Sequence, residues 1–197
     1  MSVNFDLIKS LRESSGVSIT ECKKALEEAN GDLNLAIEVL RKNGILKAST
    51  KTGREVKDGC IGSYVHQTGR IASLVELNCE TDFVARTDEF KDLAHTLAVQ
   101  VSGMNPLYIS IEDIPDDVIK KESKIIIDSS DIKSKPKAVI DNILKGKLEK
   151  FYEQVCLLEQ PFYKDPKVKV KDLVNGAIAK IGENIKVSKI VRLEIGN

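Results

Sequence analysis

The sequence predicts an α+β protein: a three-helix N-terminal bundle, then a core with a small antiparallel sheet, flanking helices and a helical hairpin. Three observations carry this reading. Residues 4–43 hold three short apolar runs at spacings of three and four, each bounded by turn or capping residues. Residues 60–79 alternate apolar and polar over two runs joined by Gln67-Thr68-Gly69, the pattern of a hairpin. Residues 115–158 return to helical spacing, and 184–195 alternate again. The boundaries that follow are a bundle at 1–44, a basic linker at 45–57 and a core at 58–197, with the helical hairpin at about 115–158.

In the bundle, Leu7, Ile8 and Leu11 form the first apolar face, and Gly16 breaks the helix. Ser18 and Glu21 have the spacing of a capping box, opening a second helix that buries Cys22, Ala25, Leu26 and Ala29. Asn30-Gly31 ends that helix, and Asp32 caps a third with Leu33, Ala36, Ile37 and Leu40 facing inward. Between Arg41 and Lys57 stand six cationic residues and one acid, Glu55. No aromatics are interleaved to stack on bases, so the run reads as a solvated tether that few contacts cross.

The core opens with strands at Cys60–His66 and Arg70–Cys79. A helix follows, capped by Thr87, acidic at Asp88 and Glu89, and stopped at Gly103. Its buried face is Phe90, Leu93, Ala94, Leu97, Ala98 and Val101. Leu107–Ile111 reads as a short strand. Helices at 115–128 and 136–158 flank a turn through Asp131–Pro136, and a further helix spans 169–181. The closing strand places Ile185, Val187, Val191, Leu193 and Ile195 on one face, interrupted by Lys189.

Composition narrows the function. The chain has 197 residues, with 30 Lys and Arg against 30 Asp and Glu. A balanced charge does not fit a dedicated nucleic-acid or membrane-surface binder. No apolar run approaches the roughly 18 residues that span a bilayer. Met1-Ser2-Val3-Asn4-Phe5-Asp6 lacks the basic and apolar regions of a secretory signal, so a cytoplasmic protein is expected. The cysteines, Cys22, Cys60, Cys79 and Cys156, form no Cys-x-x-Cys pair, and His66 and His95 have no ligand spacing to them. No metal site is expected, and the thiols read as buried. Neither a phosphate-binding loop nor a dinucleotide fingerprint is present, so no cofactor is expected.

Cys79-Glu80-Thr81-Asp82-Phe83-Val84-Ala85-Arg86 sits where strand hands over to helix. Phe83 belongs to neither flanking pattern. By pattern alone an aromatic there is more often a local core plug. A bulky apolar side chain beside Asp82 on a rigid corner also suits insertion into a partner's pocket.

Residues 69–90, Gly-Arg-Ile-Ala-Ser-Leu-Val-Glu-Leu-Asn-Cys-Glu-Thr-Asp-Phe-Val-Ala-Arg-Thr-Asp-Glu-Phe, closely resemble the core signature of the elongation factor Ts family, the exchange factors of elongation factor Tu. Leu11–Leu26 and Asn30–Gly44 look like the family's N-terminal signature. Glu159-Gln160-Pro161-Phe162, with Asp165-Pro166, resembles a motif near its C-terminus. The likeness covers essentially the whole chain, in the family's order. It implies a UBA-like (ubiquitin-associated) fold for the bundle and guanine nucleotide exchange in translation elongation as the function. The chemistry is binding rather than bond-making, so no enzyme and no catalytic residue is implied.

The resemblance implies that Thr81, Asp82, Phe83 and Val84 intrude beside the Mg²⁺ and switch region of elongation factor Tu, which is met GDP-bound and left nucleotide-free. Leu11, Arg12, Lys23 and Lys24 would grip its nucleotide-binding domain. Family members often carry methionines where this chain has Ile19 and Thr20; Thr20 is smaller and polar, a departure that weakens the case for an apolar anchor there. Long members hold the strand-hairpin-helix unit twice; this chain holds it once, at 59–103. A sheet that small leaves a second face or an edge poorly covered, and a homodimer packing sheet on sheet is expected. Two other readings stand beside it: a UBA-like adaptor with an unrelated core, and a thiol-dependent enzyme using Cys79 or Cys60 with His66.

Overall fold

The computed structural model describes residues 4–15, 17–129 and 136–196. The break read at Gly16 and, apart from Pro136, the turn read at 131–136 lie outside the described residues. The chain divides into two compact units, each discontinuous in sequence.

The first unit comprises Met1–Gly59, Asn78–Val84 and Asp172–Lys186. It opens with α1 (Phe5–Ser15), α2 (Ile19–Glu28) and α3 (Leu33–Ser49). The Ser18 side chain accepts from the Glu21 N–H at 3.3 Å and donates to the Glu21 carboxylate at 3.1 Å, starting α2. Asn30 and Gly31 take positive φ of 52° and 86°, which ends α2. Asp32 then accepts from the N–H groups of Asn34 and Leu35 at 2.8 and 3.0 Å. Ile8, Leu11, Cys22, Ala25, Leu26, Ala29 and Ala36 form the core, with Leu33 and Leu40 packed on it. Ile37, expected inward, is exposed, because one step past Ala36 is about 100° around the helix and off the buried stripe.

α3 does not stop near Gly44. Ile45-Leu46-Lys47-Ala48 are sound helix formers, and Ala48 is buried. Gly44 faces α8 (Val170–Ile181), where the Ala179 methyl would sit 3.7 Å from an added Cβ. Arg41 pairs with Asp172 on the same helix. The Arg54 carbonyl accepts from Asn184 at 2.8 Å. Within 45–57, read as a tether, the helix runs on to Ser49, Ala48 is buried and Arg54 meets Asn184 and Glu80.

The second unit comprises Cys60–Leu77, Ala85–Lys171 and Val187–Asn197. Strands β1 (Asp58–Val65) and β2 (Ile71–Cys79) and the last strand, β5 (Ile185–Glu194), form a sheet of order β1-β2-β5. The sheet is antiparallel. His66 N–H meets the Ile71 carbonyl at 2.8 Å across the hairpin turn, and Ile195 N–H meets the Arg70 carbonyl at 2.9 Å. Gly69 takes the left-handed φ of 66° that the turn requires.

Helix α5 (Asp88–Met104) covers one sheet face, its N-terminus capped by Thr87. Ser73 Oγ donates to the Ala98 carbonyl at 2.6 Å. At Gly62 an added Cβ would run into the Ala94 carbonyl, so β1 approaches α5 as only glycine permits. The helix passes Gly103, expected to stop it, and ends at Asn105 with φ 46°. One glycine in a last turn costs only about 1 kcal/mol, and Asn tolerates the left-handed cap.

The opposite sheet face is bare. Ile61, Val65, Leu74, Leu193 and Ile195 are 45–67% exposed. Ile185 and Val187 are buried, but the alternation expected along the closing strand does not carry past Lys189. Ser188 and Lys189 are both exposed, and Arg192 turns inward to donate to the Ser102 carbonyl at 3.0 Å.

Beyond α5 come α6 (Asp116–Asp128) and α7 (Lys137–Val155). The strand expected at Leu107–Ile111 is a single parallel bridge, Tyr108 to Cys156. The Asp113 carboxylate takes the Ser110 N–H and hydroxyl, each at 2.8 Å, and draws the chain into a 3-10 turn at Ile111–Asp113. A second such turn at Leu157–Glu159 shortens the helix expected to reach 158. A small hairpin not expected from the sequence follows, β3 (Pro161–Phe162) with β4 (Asp165–Lys169). Gln100 and Gln160, both buried, pin it: Gln100 donates to Gln160 Oε1 and the Pro161 carbonyl, each at 3.1 Å, and accepts from Tyr163 N–H at 3.0 Å.

Candidate functional site

The junction after β2 is built from backbone and carboxylates. Cys79, fully buried, ends the inward series of β2, and its thiol donates to the Thr81 carbonyl at 3.2 Å. The next element, α4 (Asp82–Ala85), is a single four-residue turn. Thr81 Oγ1 accepts from Val84 N–H at 3.5 Å, as a capping residue does. Asp82 and Val84 are half-buried. Phe83 is 81% exposed, so the core-plug reading fails and a large apolar ring stands in solvent on the corner.

Two acids brace this corner: Glu80, inside the Cys79–Arg86 stretch, and Glu183, which no apolar pattern marks. Glu183 follows α8 after Gly182, which has φ 87°. Its carboxylate accepts from Glu80 N–H and Thr81 N–H, each at 3.1 Å, and from the Thr81 hydroxyl at 2.7 Å. In return Glu80 accepts from Asn184 N–H at 2.7 Å. Arg54 lies 3.5 Å from the Glu80 carboxylate oxygens. The Asn184 N–H, opposed by some burial and assisted by Arg54, holds the Glu80 carboxyl below the usual carboxylate range. The one available signal was Gly182-Glu183-Asn184 itself, a turn residue beside polar groups between helix and strand.

The N-terminal candidates divide. Arg12, Lys23 and Lys24 are exposed, with Lys23 3.8 Å from Glu27. Lys24 also lines a groove of about 320 Å³ with Val17, Leu40 and Leu46. Leu11 is 0% exposed: it belongs to the bundle core and cannot be a surface contact. Ile19 and Thr20 are both exposed.

A wider groove of about 590 Å³ beside α7 is lined by Glu159, Lys169 and Lys171. Glu159 there pairs with both Lys169 and Lys171, at 3.1 and 2.9 Å. Among the described residues no cluster of three or more His, Cys, Asp or Glu could hold a metal. His66 Nδ1 bonds Thr68 Oγ1 at 2.8 Å, and burial pushes the Cys60 thiol up from its ordinary range. Both features disfavour an activated thiolate.

An exposed aromatic ring on a braced corner, with exposed cations on the bundle, has the character of a docking surface. A family model described as Elongation factor TS matches residues 18–197. The chain is 57% identical over 196 residues to Elongation factor Ts of Thermotoga maritima, covering all of this chain and 98% of the relative. It is 52% identical to Elongation factor Ts of Fervidobacterium nodosum, covering the whole of both. With that of Carboxydothermus hydrogenoformans it shares 48% over 194 residues, 98% of this chain and 89% of the relative. The chain belongs to the elongation factor Ts family, whose role lies in translation elongation.

Proposed function

We propose that the protein is the guanine nucleotide exchange factor of elongation factor Tu. The observation that carries this is Phe83, 81% exposed on a corner braced by Glu183 and Glu80. An exposed aromatic held without freedom loses little entropy on insertion and gains its full burial there.

A G-protein holds GDP through backbone amides, a lysine and Mg²⁺. A factor that binds better when those contacts are distorted must weaken GDP by the same ratio that GDP weakens the factor. Phe83 is the wedge, Asp82 disturbs the network around the Mg²⁺, and Thr81 and Val84 carry them in. Arg12, Lys23 and Lys24 add the second contact from the bundle, over the core that Leu11 helps to build. The complex forms with the GDP-bound partner and persists when the nucleotide has left. No covalent bond is made, so the protein acts without being an enzyme, and it works in the cytoplasm where its partner does. No helix of the described residues is long and apolar enough to cross a membrane.

The bare sheet face supports a homodimer in which two sheets pack through Ile61, Val65, Leu74, Leu193 and Ile195. Each dimer then presents Phe83 twice. The deciding experiment for the exchange reading is release of a fluorescent GDP analogue from purified elongation factor Tu. Acceleration that saturates with this protein supports it; an unchanged rate refutes it and returns the field to a UBA-like adaptor.

A further inference from the structure

We propose that Glu183 is a positioning residue of the exchange corner: its carboxylate fixes where Phe83 stands. The inference rests on the exchange reading above. A four-residue helix cannot orient itself, because nucleation leaves it almost no internal hydrogen bonds. The direction of α4 must therefore come from outside it. The three donors that meet Glu183 are the two backbone N–H groups just ahead of α4 and the hydroxyl that caps it. One rigid carboxylate thus holds both the end of β2 and the first turn that carries Phe83.

The contact is reciprocal. Glu183 takes the backbone of Glu80, while Glu80 takes the backbone of Asn184 at 2.7 Å. Asn184 Nδ2 closes the network on the Arg54 carbonyl at 2.8 Å. Two segments 102 residues apart are therefore locked in rotation as well as in distance. A single bond would join them; the crossed pair sets an angle. All three groups facing Glu183 are donors, so the negative carboxylate is required there. An amide of the same shape would turn an NH₂ toward donors and lose at least part of the set.

The test is a double-mutant cycle of Glu183→Gln and Phe83→Ala, read by GDP-analogue release from elongation factor Tu. Glu183→Gln should lower the saturating exchange rate about tenfold, the scale of one lost charge-assisted hydrogen bond. The concentration giving half the maximal effect should move less than about twofold, because the bundle's contacts are intact. In the Phe83→Ala background Glu183→Gln should add nothing, since both act through one ring. Thr81→Val, which removes the hydroxyl that Glu183 accepts, should lower the saturating rate likewise and add nothing in the Phe83→Ala background; these two measurements decide the matter if Glu183→Gln fails to fold. Equal effects of Glu183→Gln in both backgrounds, or none in either, overturn the positioning role while the exchange reading stands. If Phe83→Ala alone exchanges like wild type, the wedge and the positioning role fall together while exchange itself stands; no acceleration by the wild-type protein refutes the exchange reading.

Discussion

Truncating Phe83 to alanine separates a wedge from a structural residue by magnitude. Fully burying a phenylalanine side chain is worth about 1.5–3 kcal/mol. With the residue 81% exposed, about 1.2–2.4 kcal/mol of that is still ungained in the free protein and is available to the partner. At 1.4 kcal/mol per decade, losing it slows exchange roughly 7- to 50-fold. The folded state already holds only the remaining fifth, about 0.3–0.6 kcal/mol. For a chain of this length that lowers the melting midpoint by about 1–2 °C. Stopped-flow release of a fluorescent GDP analogue measures the first quantity, and calorimetry measures the second. Wild-type exchange by a folded variant would refute the wedge. A midpoint drop near 10 °C would also refute it, since the ring would then be supporting the fold.

Gly62→Ala should destabilise by about 3 kcal/mol or more, because the new methyl meets the Ala94 carbonyl backbone of α5; thermal melting near that of wild type would show that β1 can back away. Leu193→Glu should convert the dimer to a monomer, and light scattering should fall from twice 21.8 kDa to that value; wild-type protein already at the lower mass removes the sheet interface. Glu159 is pushed up by burial, but hydrogen bonds from Lys171 and Lys169 outweigh this and hold it below 4.5. Its folded value is therefore the depressed one, so its contribution is complete above about pH 4.5 and is lost as the pH falls through the lower folded value. Glu159→Gln should cost about 0.5–1 kcal/mol at pH 7, screened by solvent, and the gap from wild type should close below the carboxylate range; a gap constant with pH in urea titrations would deny the ion pair that role.

Apolar periodicity made most elements readable. The faces of α1, α2 and α5 follow directly from residues such as Leu11, Cys22 and Phe90, whose spacing leaves one solution. The differences fall where a weak local tendency meets a stronger contact, near or distant in sequence. Gly44 and Gly103 carry weak breaking tendencies that α8 and the Asn105 cap override. Leu107–Ile111 has strand composition, yet Asp113 bends it into a turn. Thr81–Val84 stood out because Phe83 fits no pattern. Glu183 did not, because an acid in a loop looks alike whether it meets water or three donors 102 residues away. Leu11 misled in the other direction: a motif marks a residue without saying whether it touches a partner or supports those that do.

The braces at Glu183 and Asn184 also fix an order in time. A ribosome adding about 5–20 residues per second makes Glu183 some 5–20 s after Thr81, given their separation of 102 residues. Throughout that interval the corner exists as sequence but lacks the carboxylate that orients it, and α3 waits for Asp172 and Ala179. The first helices can form early, yet the unit they belong to closes only when the last tenth of the chain arrives. A nascent or C-terminally truncated chain therefore carries the complete Thr-Asp-Phe-Val motif without the carboxylate that its backbone and hydroxyl meet in the finished fold.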